Sequence, residues 1–369
     1  MKFIDLEKQY QLIESDIWKG IKQVLDHGQY IMGPEIAILE KQLADFTGVK
    51  HVIANSSGTD ALLMALLAMD IGPGDEVITS PFSFFATAEV IALCHAKPVF
   101  VDIDPVTYNI DPNKIEAAIT PNTKAIMPVS LYGQCSDMKR INDIAHKHNL
   151  PVIEDSAQSF GATHHGKYSS ALSTVGCTSF FPSKPLGGYG DSGACFTDDS
   201  ELAEKLIEIR LHGQSARYKH SRIGINGRMD TLQAAILIEK LKLFPKEIQL
   251  RQAVAERYNE LLEGVVRTPS IQPGNTSVYA QYTIEVDDRD SFQQHLQSAG
   301  IPTAVHYPIA MHQQEALSYL NYKAGDFPHA ERASKRVISL PMHPYMTLDE
   351  QKIVVNAVRE RINVSELFA

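Results

Sequence analysis

The chain has 369 residues, of which 44% are hydrophobic and 21% charged, so it can bury a large core and divides naturally into a large and a small domain. The formal net charge is -10 and no run of basic residues interrupts it, which argues against nucleic acid or an anionic membrane as the main partner. No apolar run reaches membrane-spanning length, and the four cysteines are scattered without metal spacing. Reduced, buried thiols in a cytoplasmic protein are the expectation, and the start, Met1-Lys-Phe-Ile-Asp-Leu6, is too polar for a signal peptide.

Residues 1–32 read as an N-terminal arm. Its helix carries Ile13, Ile17, Ile21 and Val24 on one face. A loop containing Gly28, Tyr30 and Gly33 follows, and Pro34 opens the next helix, which ends near Gly48. Tyr30 is open to two readings, a packed aromatic or a ligand contact.

Strand and helix then alternate. His51–Asn55 reads as a strand, Ser56–Asp60 as a tight turn and Ala61–Met69 as a helix. Gly58 and Thr59 stand at that helix's start, either as an ordinary cap or as an anion site built from free N–H groups and the helix dipole. Further units are strand 76–80, helix 84–94, strand 98–102, helix 112–119, strand 124–130, helix 137–148 and strand 151–155. Their continuous apolar runs predict a mostly parallel sheet covered on both faces. Ligands of such sheets sit at the carboxyl ends of the strands. Asp155, Gly58 and the run Pro81-Phe-Ser-Phe84 all fall there.

The segment from Thr178 to Gly193 places Lys184 between Ser183 and Pro185 in a glycine-rich turn. Apolar surroundings disfavour an ammonium ion, and a neutral amine can condense with a carbonyl to form a Schiff base. Pyridoxal phosphate is the cofactor that needs such a lysine, together with a carboxylate for its ring nitrogen. Asp155 is the candidate, and it is expected to stay ionised beside the ring cation. Strand 193–197 and helix 198–211 follow, then an exposed polar stretch 215–221. Helices 231–243 and 246–263 flank an expected domain boundary near residue 245. Strand 277–286, helix 289–299, strand 302–306 and helices 329–337 and 348–361 make a small α+β domain, residues 246–369.

Asp155-x-x-Gln158 followed by Ser183-Lys184-Pro185 resembles the DegT/DnrJ/EryC1/StrS family of sugar-nucleotide aminotransferases. The resemblance runs from Phe3-Ile-Asp-Leu6 to Leu340-Pro-Met-His-Pro344. It implies an α/β fold of the aspartate aminotransferase type (fold type I), with a mostly parallel seven-stranded sheet in residues 1–245. It implies an amino group moved from L-glutamate to a keto nucleotide-sugar, most closely a UDP-linked 3-oxo-uronate of bacterial surface polysaccharide such as O-antigen. A 3- or 4-keto-6-deoxyhexose is the alternative substrate. By the same resemblance Gly58, Thr59 and Ser179 hold the cofactor phosphate, with Asn226 reaching from the second subunit of a homodimer. Gln158 meets the ring's phenolic oxygen. Phe84 stacks on the ring, with Phe82 and Phe85 as alternatives. Gly28, Tyr30, Ser183, His306 and Tyr307 line the substrate. Arg228 matches a substrate carboxylate bidentately, unless it makes an ordinary surface or interface salt bridge.

Overall fold

The computed structural model describes residues 1–366, so the last three residues of the expected small domain lie outside the described residues. Helix α1 (Leu6–His27) is capped by the Asp5 carboxylate, which accepts from Lys8 N–H, and stops at Gly28, whose φ of 69° is left-handed. Helix α2 (Pro34–Thr47) opens on the expected proline. The alternating region follows: β1 (His51–Asn55), α3 (Gly58–Ala68), β2 (Glu76–Thr79), α4 (Ala86–Leu93), β3 (Lys97–Phe100), β4 (Thr123–Met127), α5 (Met138–Lys147), β5 (Ile153–Asp155), β6 (Val175–Ser179), β7 (Gly193–Thr197) and α6 (Ser200–Arg210).

The strands pair in two runs, β1-β7-β6-β5 and β3-β2-β4. Parallel bridges Ile126–Val152 and Val129–Asp155 join β4 to β5, giving one seven-stranded order, β1-β7-β6-β5-β4-β2-β3. Only β7 runs against its neighbours. Apolar residues of α3 and α6 cover one face, and Met138, Ile141 and Ala145 of α5 help cover the other. Each fully buried Leu or Ile of these layers contributes about 1.5–3 kcal/mol.

The next helix departs from expectation. One helix, α7 (Thr231–Leu262), runs through Pro245 where two helices are predicted. A proline inside a helix lacks the N–H for one backbone bond, but burial on both sides holds the helix together. Its first half, through Phe244, packs with Ile36, Leu39 and Phe160, and its second half, from Val254, packs with the C-terminal core. That core holds β8 (Tyr282–Glu285), α8 (Arg289–Ser298), β9 (Val337–Leu340) and α10 (Leu348–Glu366), while α9 (Pro328–Arg336) buries Ala330 and Ala333 in a separate cluster with Phe82, Phe100 and Tyr108. Strands β8 and β9 pair antiparallel. The predicted strand 277–286 shrinks to β8 because Tyr279 adopts a left-handed φ of 44°, which no extended strand accommodates. Predicted strand 302–306 is reduced to a single bridge, Ala304–Ser339. Predicted helix 112–119 is one α-turn, Pro112–Ile115, continued by a 3₁₀ turn.

Candidate active site

The carboxyl ends of β1, β5 and β6 meet at one place. After β1 the chain turns into α3, and Ser57 Oγ caps the helix by accepting from Asp60 N–H at 3.0 Å. The N–H groups of Gly58 and Thr59 lie in the first turn, where a helix gives them no internal partner. Position 58 must be glycine, because a Cβ there would lie 2.6 Å from Ser179 Cβ. The helix start is thereby seated on the end of β6, with Ser179 beside it.

Asp155 ends β5 and is buried. Its Oδ2 accepts from Thr87 Oγ1 at 2.8 Å, and its Oδ1 from Ala157 N–H at 3.2 Å. Ser83 Oγ lies 3.1 Å from the same Thr87 hydroxyl. Burial raises the Asp155 carboxyl above its ordinary range, opposed by Thr87, Ala157 and the charge on Lys184. The protein alone pushes Asp155 toward the neutral form through burial, and the expectation of an ionised carboxylate concerns the site with a ring cation beside it.

Phe180 roots the lysine turn. It is fully buried, edge-on to Phe160 at 5.7 Å. Phe181 is half-exposed, so the apolar pair before the turn divides between core and surface. Lys184 N–H donates to Phe181 O at 2.9 Å and Gly188 N–H to Phe180 O at 2.7 Å, closing the turn. The Lys184 side chain keeps a window to solvent but lies deep among protein atoms. Burial lowers its pKa, and the Asp155 charge opposes that shift. Its amine makes no hydrogen bond among the described residues, so it is free to react.

Gln158 accepts from Tyr132 N–H at 2.9 Å through Oε1, and its Nε2 donates to Tyr307 Oη at 3.1 Å. Of the three candidate stacking rings, Phe82 is buried in the core and Phe84 is 57% exposed. Phe84 lies 6.1 Å from the Tyr307 ring. His306 Nδ1 lies 3.0 Å from Ser339 Oγ, and Tyr132 O–H donates to the His306 carbonyl.

Burial, then the charge on Lys184, pushes the His306 pKa down to about 4. An imidazole in an unfolded chain titrates near about 6.5. The neutral ring therefore stabilises the native state above that pH, and the contribution is lost as pH falls through about 4. His306→Gln flattens this acid limb of stability. Denaturant midpoints taken from about pH 7 down to about pH 4 check it, and an unchanged slope contradicts the assignment.

The segment before α7 closes the other side. Ser56 N–H donates to Gly227 O at 3.0 Å, which ties residues 226–228 to the turn before α3. Asn226 is exposed and bridges Leu211. Arg228 is half-buried, and its Nε is buried without a hydrogen-bond partner. The loop after α1 docks here as well: Thr231 N–H donates to Tyr30 O at 2.9 Å and Gly33 N–H to Thr231 Oγ1 at 3.1 Å. Gly28, Tyr30 and Ser183 are exposed. The structure thus gathers Gly58, Thr59 and Ser179 in one cluster and Asp155 with Lys184 in a second. Gln158 and Tyr307 form a third, while Gly28, Tyr30 and Asn226 stand outside them at the surface. Thr87 and Tyr132 escape the sequence reading. Each reaches the site through a contact between distant segments, 68 and 26 residues apart.

The donor set suits pyridoxal phosphate. A helix start can take a dianion, a free amine can take an aldehyde, a buried acid acts electrostatically on that amine, and Phe84 offers an open ring face. A lysine after β6, opposite an acid at the end of β5, on this strand order, defines a pyridoxal phosphate-dependent aminotransferase of fold type I. The chain belongs to the DegT/DnrJ/EryC1/StrS aminotransferase family, whose model matches residues 11–359. It is 56% identical over 359 residues to the UDP-2-acetamido-2-deoxy-3-oxo-D-glucuronate aminotransferase of Pseudomonas aeruginosa, covering 97% of this chain and 99% of that one. A crystal structure of a family aminotransferase from Brucella abortus superposes with a TM-score of 0.95 at 44% identity, over 98% of this chain and 99% of that one. The crystal structure of ntda from Bacillus subtilis, with bound cofactor PMP, superposes at 0.89 and 37% identity, over 98% of this chain and 83% of that one. PMP is the aminated form of pyridoxal phosphate.

Proposed function

We propose that this enzyme transfers the amino group of L-glutamate to C3 of UDP-2-acetamido-2-deoxy-3-oxo-glucuronate. The product would enter a bacterial surface polysaccharide such as the O-antigen of lipopolysaccharide. The reading of the substrate rests on Arg228: it is half-buried on the segment tied to the turn before α3, and its Nε has no hydrogen-bond partner among the described residues, which suits a role toward a ligand carboxylate. The Pseudomonas aeruginosa relative, which by name acts on the same uronate, supports the reading.

When bound, pyridoxal phosphate supplies the electron sink for the carbanion formed at the amino-bearing carbon. The chain's own residues do the rest. Gly58 and Thr59 N–H groups and Ser179 would hold the phosphate. Asp155, oriented by Thr87 and Ala157, would hold the ring nitrogen. Phe84 would offer its exposed face to the ring, and Gln158 would hold the cofactor's phenolic side through its amide. Lys184 would take up and return the proton of the substrate's amino-bearing carbon, a task for which a depressed pKa suits it. Gly28, Tyr30, Ser183, His306 and Tyr307 enclose the sugar.

The working form is proposed as a cytoplasmic homodimer, with Asn226 of one copy reaching the phosphate of the other. Its exposure leaves it free to do so. Cys177 and Cys195 face each other across β6 and β7, and both are buried. Among the described residues no helix is long and apolar enough to cross a membrane. The division into residues 1–245 and 246–369 is supported by the change of core along α7.

A panel of keto nucleotide-sugars with glutamate as donor tests the substrate. Arg228→Ala is expected to raise KM for the uronate by about tenfold to a hundredfold, the worth of a hydrogen bond to a charged group. A 6-deoxy sugar loses little. Equal effects on both sugars remove the carboxylate argument.

A further inference from the structure

Two residues outside the site hold the loop Gly28–Gly33. His27 ends α1 and Glu35 stands in the first turn of α2, so they flank the loop on its two sides. The backbone N–H of Gln29 donates to His27 Nδ1 at 3.0 Å. A backbone N–H can only donate, so Nδ1 carries no proton and Nε2 does. That Nε2–H then donates to Glu35 Oε1 at 3.1 Å. One imidazole thereby grips the start of the loop with one nitrogen and the helix beyond it with the other. Glu35 is only 8% exposed, and its Oε2 is buried without a partner. An acid serving the α2 dipole alone would need neither that burial nor a histidine partner. On its far edge the loop is fastened to Thr231.

We infer that His27 and Glu35 are positioning residues for the keto sugar: they preset the loop that carries Gly28 and Tyr30 without touching the substrate. The inference rests on the proposed role of those two loop residues. A loop released from this clamp must be ordered by the sugar as it binds, and the ordering entropy is subtracted from affinity. The chemistry at Lys184 is unaffected, because neither residue contacts the Asp155–Lys184 group.

The test uses the holoenzyme and four variants, His27→Ala, Glu35→Ala, Glu35→Gln and Tyr30→Ala. Steady-state KM and kcat are read for the keto sugar, and the single-turnover rate is read with glutamate alone. His27→Ala and Glu35→Ala are expected to raise KM for the sugar by about tenfold, with kcat and the glutamate step unchanged. Glu35→Gln restores the KM, because glutamine keeps the Oε1 acceptor and alters only the oxygen that bonds nothing. Equal losses in both half-reactions mean general damage and overturn the inference. So does a Glu35→Gln variant as poor as the alanine, which would make charge rather than the hydrogen bond the cause. A raised KM in Tyr30→Ala with none in the clamp variants refutes the clamp alone. An unchanged KM in Tyr30→Ala removes the loop's assigned role, and the clamp inference falls with it.

Discussion

Lys184→Ala abolishes transamination and leaves the fold intact. The amine makes no hydrogen bond among the described residues, so its loss orphans no partner, and the turn is closed by backbone bonds from Lys184 N–H and Gly188 N–H that alanine keeps. Removing a desolvated amine relieves a burial cost rather than adding one. Lys184 is the base the proposed proton transfer uses, so the rate falls by more than about 10³-fold. Circular dichroism and thermal melting report the fold. Absorbance of the bound cofactor, which no longer responds to glutamate, reports the chemistry. Turnover retained in this variant refutes the lysine assignment outright.

Asp155→Asn is the second large effect, and it separates charge from shape. The amide can accept from Ala157 N–H and turn its nitrogen toward Thr87 Oγ1, so both contacts survive in altered polarity. What is lost is the negative charge proposed to hold the ring nitrogen. One preorganised electrostatic partner in a buried site is worth about 10²–10³-fold in kcat. Because burial already lifts the Asp155 carboxyl, the wild-type rate also declines when this group takes up its proton, and the asparagine variant lacks that acid limb. A kcat–pH profile comparing the two checks both statements. An asparagine enzyme with wild-type kcat would mean that the carboxylate is structural.

The alternation from β1 to α6 was legible because each strand is an apolar run bounded by turn residues, and Asp155 and Lys184 stood out through their flanks. The order that places β7 between β1 and β6 was not, since pairing partners are set by packing and not by neighbours in the chain. Pro245 was misleading for a physical reason. Proline's bias against helix interiors is worth about 3 kcal/mol, and two cores packed on one helix exceed it. Tyr279 hid its effect too, because nothing in Val278-Tyr279-Ala280 announces a left-handed backbone. Thr87, Tyr132, His27 and Glu35 are ordinary residues locally. They acquire meaning only when folding brings them to Asp155, to Gln158 or to each other.

The unbroken α7 has a mechanical side. At about 1.5 Å rise per residue it is a rod of about 48 Å, and both cores are bolted to it. Any swing of one half over a bound sugar must flex that rod or slide side chains along it. The cheapest place to flex is the turn around Pro245, where one rung of the backbone ladder is already missing.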